Sequence, residues 1–206
     1  MDSDRYFSHS RGDVLKNVPL SAKRILSLGC GTGSTESVLV ERGMEVAAIE
    51  RNPHAAAVAQ RLGIKIIVGE VSKVIGTITD GDYDCLICAD ILEHLLVPQE
   101  VLQYCTKLLS KNAVIIISVP NFRHWSIFYQ LLFQGLITYK DAGILDRSHV
   151  RITTSRMARL WLDDIGFKVC NKEYIIHQRR YLWLSKLFFG IFDEFLATQV
   201  VLVGKR

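Results

Sequence analysis

The sequence predicts an α/β fold: a doubly wound sheet of seven strands, mostly parallel with one antiparallel edge strand, and helices on both faces. Three observations carry this. Short apolar runs alternate five times with amphipathic helical stretches up to residue 121. The first run breaks on clustered glycines that open a helix. The last two runs, 167–177 and 198–206, have the alternation and short connection of an antiparallel pair. Parallel neighbours need a crossover connection, so repeated strand and helix imply strands buried on both faces under helical cover.

In order, RILSLG (24–29) is a strand ending on glycine, and STESVLVERG a helix capped by Ser34 or Thr35 with Val38 and Leu39 inward. EVAAIE (45–50) is the second strand. NPHAAAVAQRL (52–62) is a helix with Asn52 as N-cap and Pro53 at its first position, where a missing N–H costs nothing. KIIVG (65–69) precedes a weak helical stretch at 71–78, and YDCLICA (83–89) precedes the helix that Pro98 opens. AVIIISVPN (113–121) is the fifth strand. Beyond it lie an aromatic helix, RHWSIFYQLLFQG, a polar loop, ITYKDAGILDRSHVR, and a helix, TSRMARLWLDDIG. A hydrophobic helix over 181–196 joins the last two strands; being apolar almost all round, it suits burial, a dimer face or a lid. The reading is a single Rossmann-like domain, 1–206, with an N-terminal cap segment (1–24) and a substrate-side insertion (122–152).

A chain of 206 residues can close one core. With 49% hydrophobic and 22% charged residues it is neither a disordered chain nor a disulfide miniature. The net charge of +4 is scattered, which excludes the dense basic footprint of a nucleic-acid binder. An odd number of cysteines, five, after a polar first segment points to a reduced, cytoplasmic setting. Lys186, Asp193 and Glu194 interrupt the longest apolar stretch, so no transmembrane helix is expected. Cys85 and Cys88 fall on opposite faces of a buried strand with no second pair, so no metal site is expected there.

The sharpest motif is Leu28-Gly29-Cys30-Gly31-Thr32-Gly33, at a strand end and a helix start, where glycines let backbone approach a ligand. A dinucleotide fingerprint spaces its glycines G-x-G-x-x-G; here the third comes one residue early and Ser34 follows, which disfavours NAD. Glu50 closes the second strand where an acidic side chain accepts hydrogen bonds from ribose hydroxyls, so a nucleoside-bearing ligand is indicated.

Through LGCGTG, Glu50, VGEVS and DYDCLICADILEHL, in order, nearly the whole chain resembles class I S-adenosylmethionine-dependent methyltransferases. That resemblance implies S-adenosylmethionine as cofactor, S-adenosylhomocysteine as product and a small-molecule acceptor. It implies that Gly29, Cys30, Gly31 and Gly33 bind the cofactor, the first three lining its methionine portion. Glu50 would hold the ribose with Arg51 beside it, Glu70 and Val71 flank adenine, and Asp90 ends the fourth strand by the cofactor. Tyr6 and Arg11 belong to a lead-in that folds over the cofactor, where Arg11 meets the methionine carboxylate. Ser27 stands where the family usually has an acid.

Pro120-Asn121-Phe122-Arg123-His124-Trp125 with YQLLFQG is similar to the PNFxHW…QLLxxG segment of the MetW family. This implies an alternative: an interaction subunit that binds and activates a homoserine acyltransferase in methionine biosynthesis. Residues 145–153, LDRSHVRIT, instead resemble the LDRTHLRFFT loop of other small-molecule or glycan-associated methyltransferases.

Methyl transfer is an in-line displacement at a sulfonium carbon, so alignment supplies much of the acceleration, and a base is needed only for hydroxyl or amine acceptors. His149, beyond the fifth strand, is the candidate catalytic base, or else it fixes its loop. His94 is a second candidate or a helix cap. Asp146 and Arg147 orient His149 or bind an acidic acceptor, and Arg151 suits phosphate or carboxylate, unless these are solvated loop charges. Phe128, Tyr129, Leu132 and Phe133 share one stripe and are expected to pack inward. A homodimer is compatible with all of this.

Overall fold

The computed structural model describes residues 10–206, so Tyr6 lies outside the described residues. The strands are β1 (Arg24–Leu28), β2 (Glu45–Glu50), β3 (Lys65–Val68), β4 (Tyr83–Ala89), β5 (Leu109–Pro120), β6 (Lys168–Ile175) and β7 (Gln199–Lys205). They form one sheet in the order β3, β2, β1, β4, β5, β7, β6. Every pair is parallel except those of β7, which runs antiparallel to both β5 and β6. The single reversed strand therefore sits one place in from the edge, with β6 outermost.

Alternation along the strands sorts side chains into two cores. Ile25, Val46, Ala48, Cys85 and Ile87 pack under α1 (Gly12–Leu15), α2 (Glu36–Glu41) and α3 (Pro53–Arg61). Leu26, Leu28, Leu86 and Cys88 meet α4 (Val71–Val74), α5 (Pro98–Thr106) and α7 (Ser155–Asp164) on the other face. Cys85 and Cys88 thus lie on opposite faces, and all five cysteines are free. Among the described residues no helix is long and apolar enough to cross a membrane.

The caps follow the sequence in part. Asn52 accepts from the His54 and Ala55 amides and Pro53 opens α3. Thr35 precedes α2 but does not cap it with its side chain; its hydroxyl accepts the Arg11 amide at 3.0 Å instead.

Three expectations are corrected. The helix over 181–196 is broken into α8 (Arg179–Leu187) and α9 (Asp193–Leu196), because Phe189 and Gly190 adopt left-handed conformations (φ +51° and +77°) that end the first segment. β5 starts at Leu109, where Tyr83 pairs with it before a register shift. The aromatic helix is α6 (Trp125–Tyr129), continued by a π-helical turn over Gln130–Gln134 that Gly135 ends at φ +65°. On it only Ile127 is buried; Phe128, Tyr129, Leu132 and Phe133 face outward, the last at 76% exposure.

Candidate functional site

The chain order reverses at β1, whose neighbours are β2 and β4, and in an open α/β sheet the crevice beyond the strands' carboxyl ends at such a point receives ligands. A cleft of about 870 Å³ opens there. The turn after β1 forms its floor. The Gly29 amide donates to the Ile49 carbonyl at 2.8 Å, pinning the turn against β2. Gly29 and Gly31 have φ of +73° and +55°, and with Cys30 they line the cleft. Gly33 has another duty: at φ +77° a Cβ there would stand 2.5 Å from Ile64 Cδ1 and 2.9 Å from Ala59 Cβ, so its bareness lets the turn pack on α3, and it does not line the cleft.

Glu50 is buried at the end of β2 with its carboxylate fixed by backbone. Oε2 accepts from the Gly31 amide and Oε1 from the Asn52 amide, both at 2.8 Å. Arg51, Glu70 and Val71 line the same end. Glu70 is exposed and paired with Lys73 at 2.7 Å.

Ser27 has a partner that the sequence did not reveal. Its hydroxyl donates at 2.6 Å to Glu36, which is buried in the first turn of α2 and lines the cleft. Burial pushes the Glu36 carboxyl up to about 7, with the Glu50 charge adding to it, and Oε2 has no hydrogen-bond partner. A carboxyl group from the helix thus stands against position 27. The signal was available: an unexpected serine in the strand, followed nine residues on by a glutamate that opens the next helix.

Asp90 ends β4 in a left-handed conformation (φ +54°) that aspartate tolerates better than most residues. Its carboxylate accepts from Gln199 Nε2 at 2.6 Å and is ion-paired with Arg11. Arg11 reaches the cleft as expected, yet commits most of its guanidinium to Asp13 at 2.7 and 2.9 Å, to Asp90 and to Ser118 at 2.8 Å. It acts as a strap buckle across the ends of β4 and β5.

Past the carboxyl ends of β4 and β5 stand Glu93, His94, His124 and His149, all lining the same cleft. Glu93 is fully buried, and neither carboxylate oxygen has a hydrogen-bond partner. Burial, reinforced by the Asp90 charge, holds its carboxyl well above the usual range. His149 Nε2 lies 3.9 Å from Glu93 Oε1, and its Nδ1 faces the Ile144 carbonyl at 3.1 Å. His94 Nδ1 faces the Ser148 carbonyl at 3.1 Å, and burial, aided by the neighbouring His149, lowers its pKa. His124 has the other tautomer: Nδ1 accepts from the Ser126 amide, so the buried Nε2 carries its hydrogen with no partner.

The surrounding loop charges are mostly committed. Asp146 accepts from the Ser148 amide and hydroxyl, Arg147 pairs with Asp141 at 3.1 Å, and Arg151 donates to the Leu96 carbonyl. Asn121 donates to the Glu194 and Ala197 carbonyls at 2.7 and 2.9 Å, Arg123 pairs with Glu194 at 2.8 Å, and Trp125 donates to the Tyr181 hydroxyl at 3.0 Å. The PNFRHW segment therefore fastens the chain's C-terminal part to the outlet of β5.

The architecture is that of the class I, Rossmann-like fold of S-adenosylmethionine-dependent methyltransferases. A methyltransferase of this kind from Archaeoglobus fulgidus matches with a TM-score of 0.72 at 15% identity, covering 98% of this chain and 97% of that one. The magnesium protoporphyrin IX methyltransferase of Synechocystis, solved with bound S-adenosylhomocysteine, matches with a TM-score of 0.65 at 16% identity, covering 98% and 81%. Within that class the chain belongs to the family described as "Methionine biosynthesis protein MetW", whose model matches residues 12–198. The ubiquinone biosynthesis O-methyltransferase of Xylella fastidiosa is 31% identical over 114 residues, 52% of this chain and 46% of that protein. Its namesake in Xanthomonas oryzae pv. oryzae is 27% identical over the same length. The chain thus matches about half the length of these curated relatives.

Proposed function

We propose that the chain binds S-adenosylmethionine and transfers its methyl group to a small-molecule acceptor, with S-adenosylhomocysteine as product. The observation that carries this is the Glu50 carboxylate, buried beside the glycine turn and held by two backbone amides, with lone pairs left for a ribose diol. The fit is supported from the other side of the turn, where Glu36 keeps an unpartnered oxygen at the cleft and suits the ammonium group of a methionine moiety. Bound there, the cofactor supplies a methyl group on a sulfonium. Gly29, Cys30 and Gly31 would line its methionine portion, Arg51, Glu70 and Val71 its nucleoside end, and Asp90 with Arg11 the middle.

The acceptor is held between residues 122–152 and the outlet of β4. Its class is taken to be a hydroxyl compound, in keeping with the O-methyltransferase relatives. His149 is the base: the Ile144 carbonyl can only accept, so Nδ1 carries the hydrogen and Nε2 presents a lone pair at the acceptor end. His124 Nε2–H offers a donor to an acceptor oxygen.

Titration calorimetry with S-adenosylmethionine and S-adenosylhomocysteine tests the reading. Binding of order micromolar in the wild type, lost in Glu50→Ala, is expected; absence of heat and of thermal shift with either ligand overturns it. A second reading, an interaction subunit for a homoserine acyltransferase, is favoured by the family match and by the exposed apolar residues Trp183, Leu187, Phe189 and Ile191 around α8. Co-purification with the acyltransferase and a rise in its activity support that role; no complex at micromolar concentrations removes it.

A further inference from the structure

We propose that Glu93, His94 and His149 bind one divalent transition-metal ion at the acceptor end of the cleft. One ligand atom from each of the three lies within 4.8 Å of the other two. An ion at about 2.1 Å from each ligand needs them roughly 3–3.5 Å apart, so small side-chain rotations close the triad.

The carboxylate is the strongest sign. Glu93 is completely buried, and neither oxygen accepts a hydrogen bond. Native interiors rarely leave a carboxylate so placed unless it is paired or coordinates a metal. Arg11, the cation whose charge acts on Glu93, is already committed to Asp13 and Asp90.

The two imidazoles are set independently for the same task. Each turns Nδ1 to a backbone carbonyl at 3.1 Å, Ser148 for His94 and Ile144 for His149. A carbonyl oxygen only accepts, so both rings carry hydrogen on Nδ1 and keep the Nε2 lone pair, which is how metal-ligating histidines are ordinarily oriented from behind. Their rings meet edge to face with centroids 4.9 Å apart. The loop bearing His149 is also built onto Glu93, whose carbonyl accepts the Val150 and Arg151 amides at 3.0 and 3.1 Å.

Two imidazole nitrogens and one carboxylate select borderline ions such as Zn²⁺, Mn²⁺, Fe²⁺ or Co²⁺ over Mg²⁺, and three protein ligands leave positions open. The inference deepens the methyl-transfer reading and rests on it for the acceptor. With the ion bound, His149 Nε2 is a ligand and no longer the base: a hydroxyl oxygen of the acceptor occupies an open position and gives up its proton to solvent near neutral pH, and His149 acts as the base only where the ion is absent. That oxygen's electron pair then forms the new O–CH₃ bond while the S–CH₃ pair returns to sulfur, leaving a neutral thioether.

The test is calorimetry of the chelator-treated chain with Zn²⁺, Mn²⁺ and Co²⁺, with the visible spectrum of the Co²⁺ form. Expected are one ion per chain, a spectrum of nitrogen and oxygen ligation without a sulfur charge-transfer band, and affinity lost in His149→Ala and Glu93→Gln. The loss should exceed the roughly 10–100-fold caused by removing a second-shell partner. His149→Ala also removes the hydrogen bond to the Ile144 carbonyl, so its fold is checked by circular dichroism. No binding to the wild type, binding unchanged in both variants, or a sulfur band overturns the site. S-adenosylhomocysteine titrated in chelator, beside the metal titration, separates the two claims: a chain that binds the cofactor in chelator but takes up none of the three ions sinks the metal site alone, and one that takes up an ion but binds no cofactor sinks the methyl-transfer reading alone.

Discussion

The two parts of the cleft lining, a cofactor end at the outlets of β1 and β2 and an acceptor end at the outlets of β4 and β5, are built differently. At the cofactor end, the turn after β1, Glu50 and α3 are locked by short backbone hydrogen bonds and by a glycine with no room for a Cβ. At the acceptor end, a π-helical turn, a broken apolar helix and exposed aromatics accompany three histidines, each hydrogen-bonded through Nδ1 alone, and a carboxyl group with no hydrogen-bond partner. The first end is shaped by packing that leaves little freedom. The second concentrates polar groups whose desolvation is not offset by the protein itself, the condition under which a ligand supplies the missing interactions.

The sharpest way to break this contrast is through Gly33. Gly33→Ala puts a Cβ against Ile64 and Ala59 at positive φ and should cost about 2–4 kcal/mol by urea denaturation. Gly143→Ala, at φ +90° with open space around it, should cost only about 1 kcal/mol. Equal losses would mean that the cofactor end is no more tightly packed than the loop.

Next in size is Glu50→Ala, expected to weaken S-adenosylhomocysteine binding roughly 100-fold, about 3 kcal/mol, as two charge-assisted hydrogen bonds are lost. A tenfold loss or less would shift the weight of recognition to Glu36.

Glu36 gives a pH test. Its folded carboxyl, raised by burial from 4.5 to about 7, keeps a proton that the unfolded chain releases. Its contribution to stability is therefore greatest below pH 4.5, declines as pH rises to about 7, and is flat beyond. The decline is at most roughly 3 kcal/mol. Glu36→Gln should remove that slope in denaturation curves taken from pH 4.5 to 8. A cationic ligand beside the carboxylate favours its charged form, so wild-type binding near pH 7 should release protons, read as heats that vary with buffer. Smallest is Trp125→Phe, which loses the hydrogen bond to Tyr181 and should cost about 1 kcal/mol.

The same contrast explains what the sequence made legible. The βα repeats, the Asn52–Pro53 start and the Gly29–Gly31 turn rest on local rules of period, cap and backbone freedom, and the structure has them within a few residues. Gly33 looked like its neighbours because a motif does not say which side a missing Cβ faces. Phe128, Leu132 and Phe133 were misjudged because an apolar stripe need not be buried. The helix over 181–196 was overextended because its apolar run conceals the left-handed pair Phe189–Gly190. That Glu93 is buried depends on which strands lie beside it, which spacing alone does not encode, whereas Glu36 could be found from the serine at position 27.

β5 ends, and β7 begins, side by side, with Pro120 opposite Gln199 in antiparallel register. The excursion that leaves β5 and the one that returns to β7 therefore share a single doorstep, and Asn121 knots them there. Movement of the stretch that leaves β5 is thereby passed to the stretch that enters β7 before it reaches the strand register. Arg123 to Glu194 and Trp125 to Tyr181 fasten the same two stretches further out, so the outgoing and returning chain are held to each other as well as to the sheet.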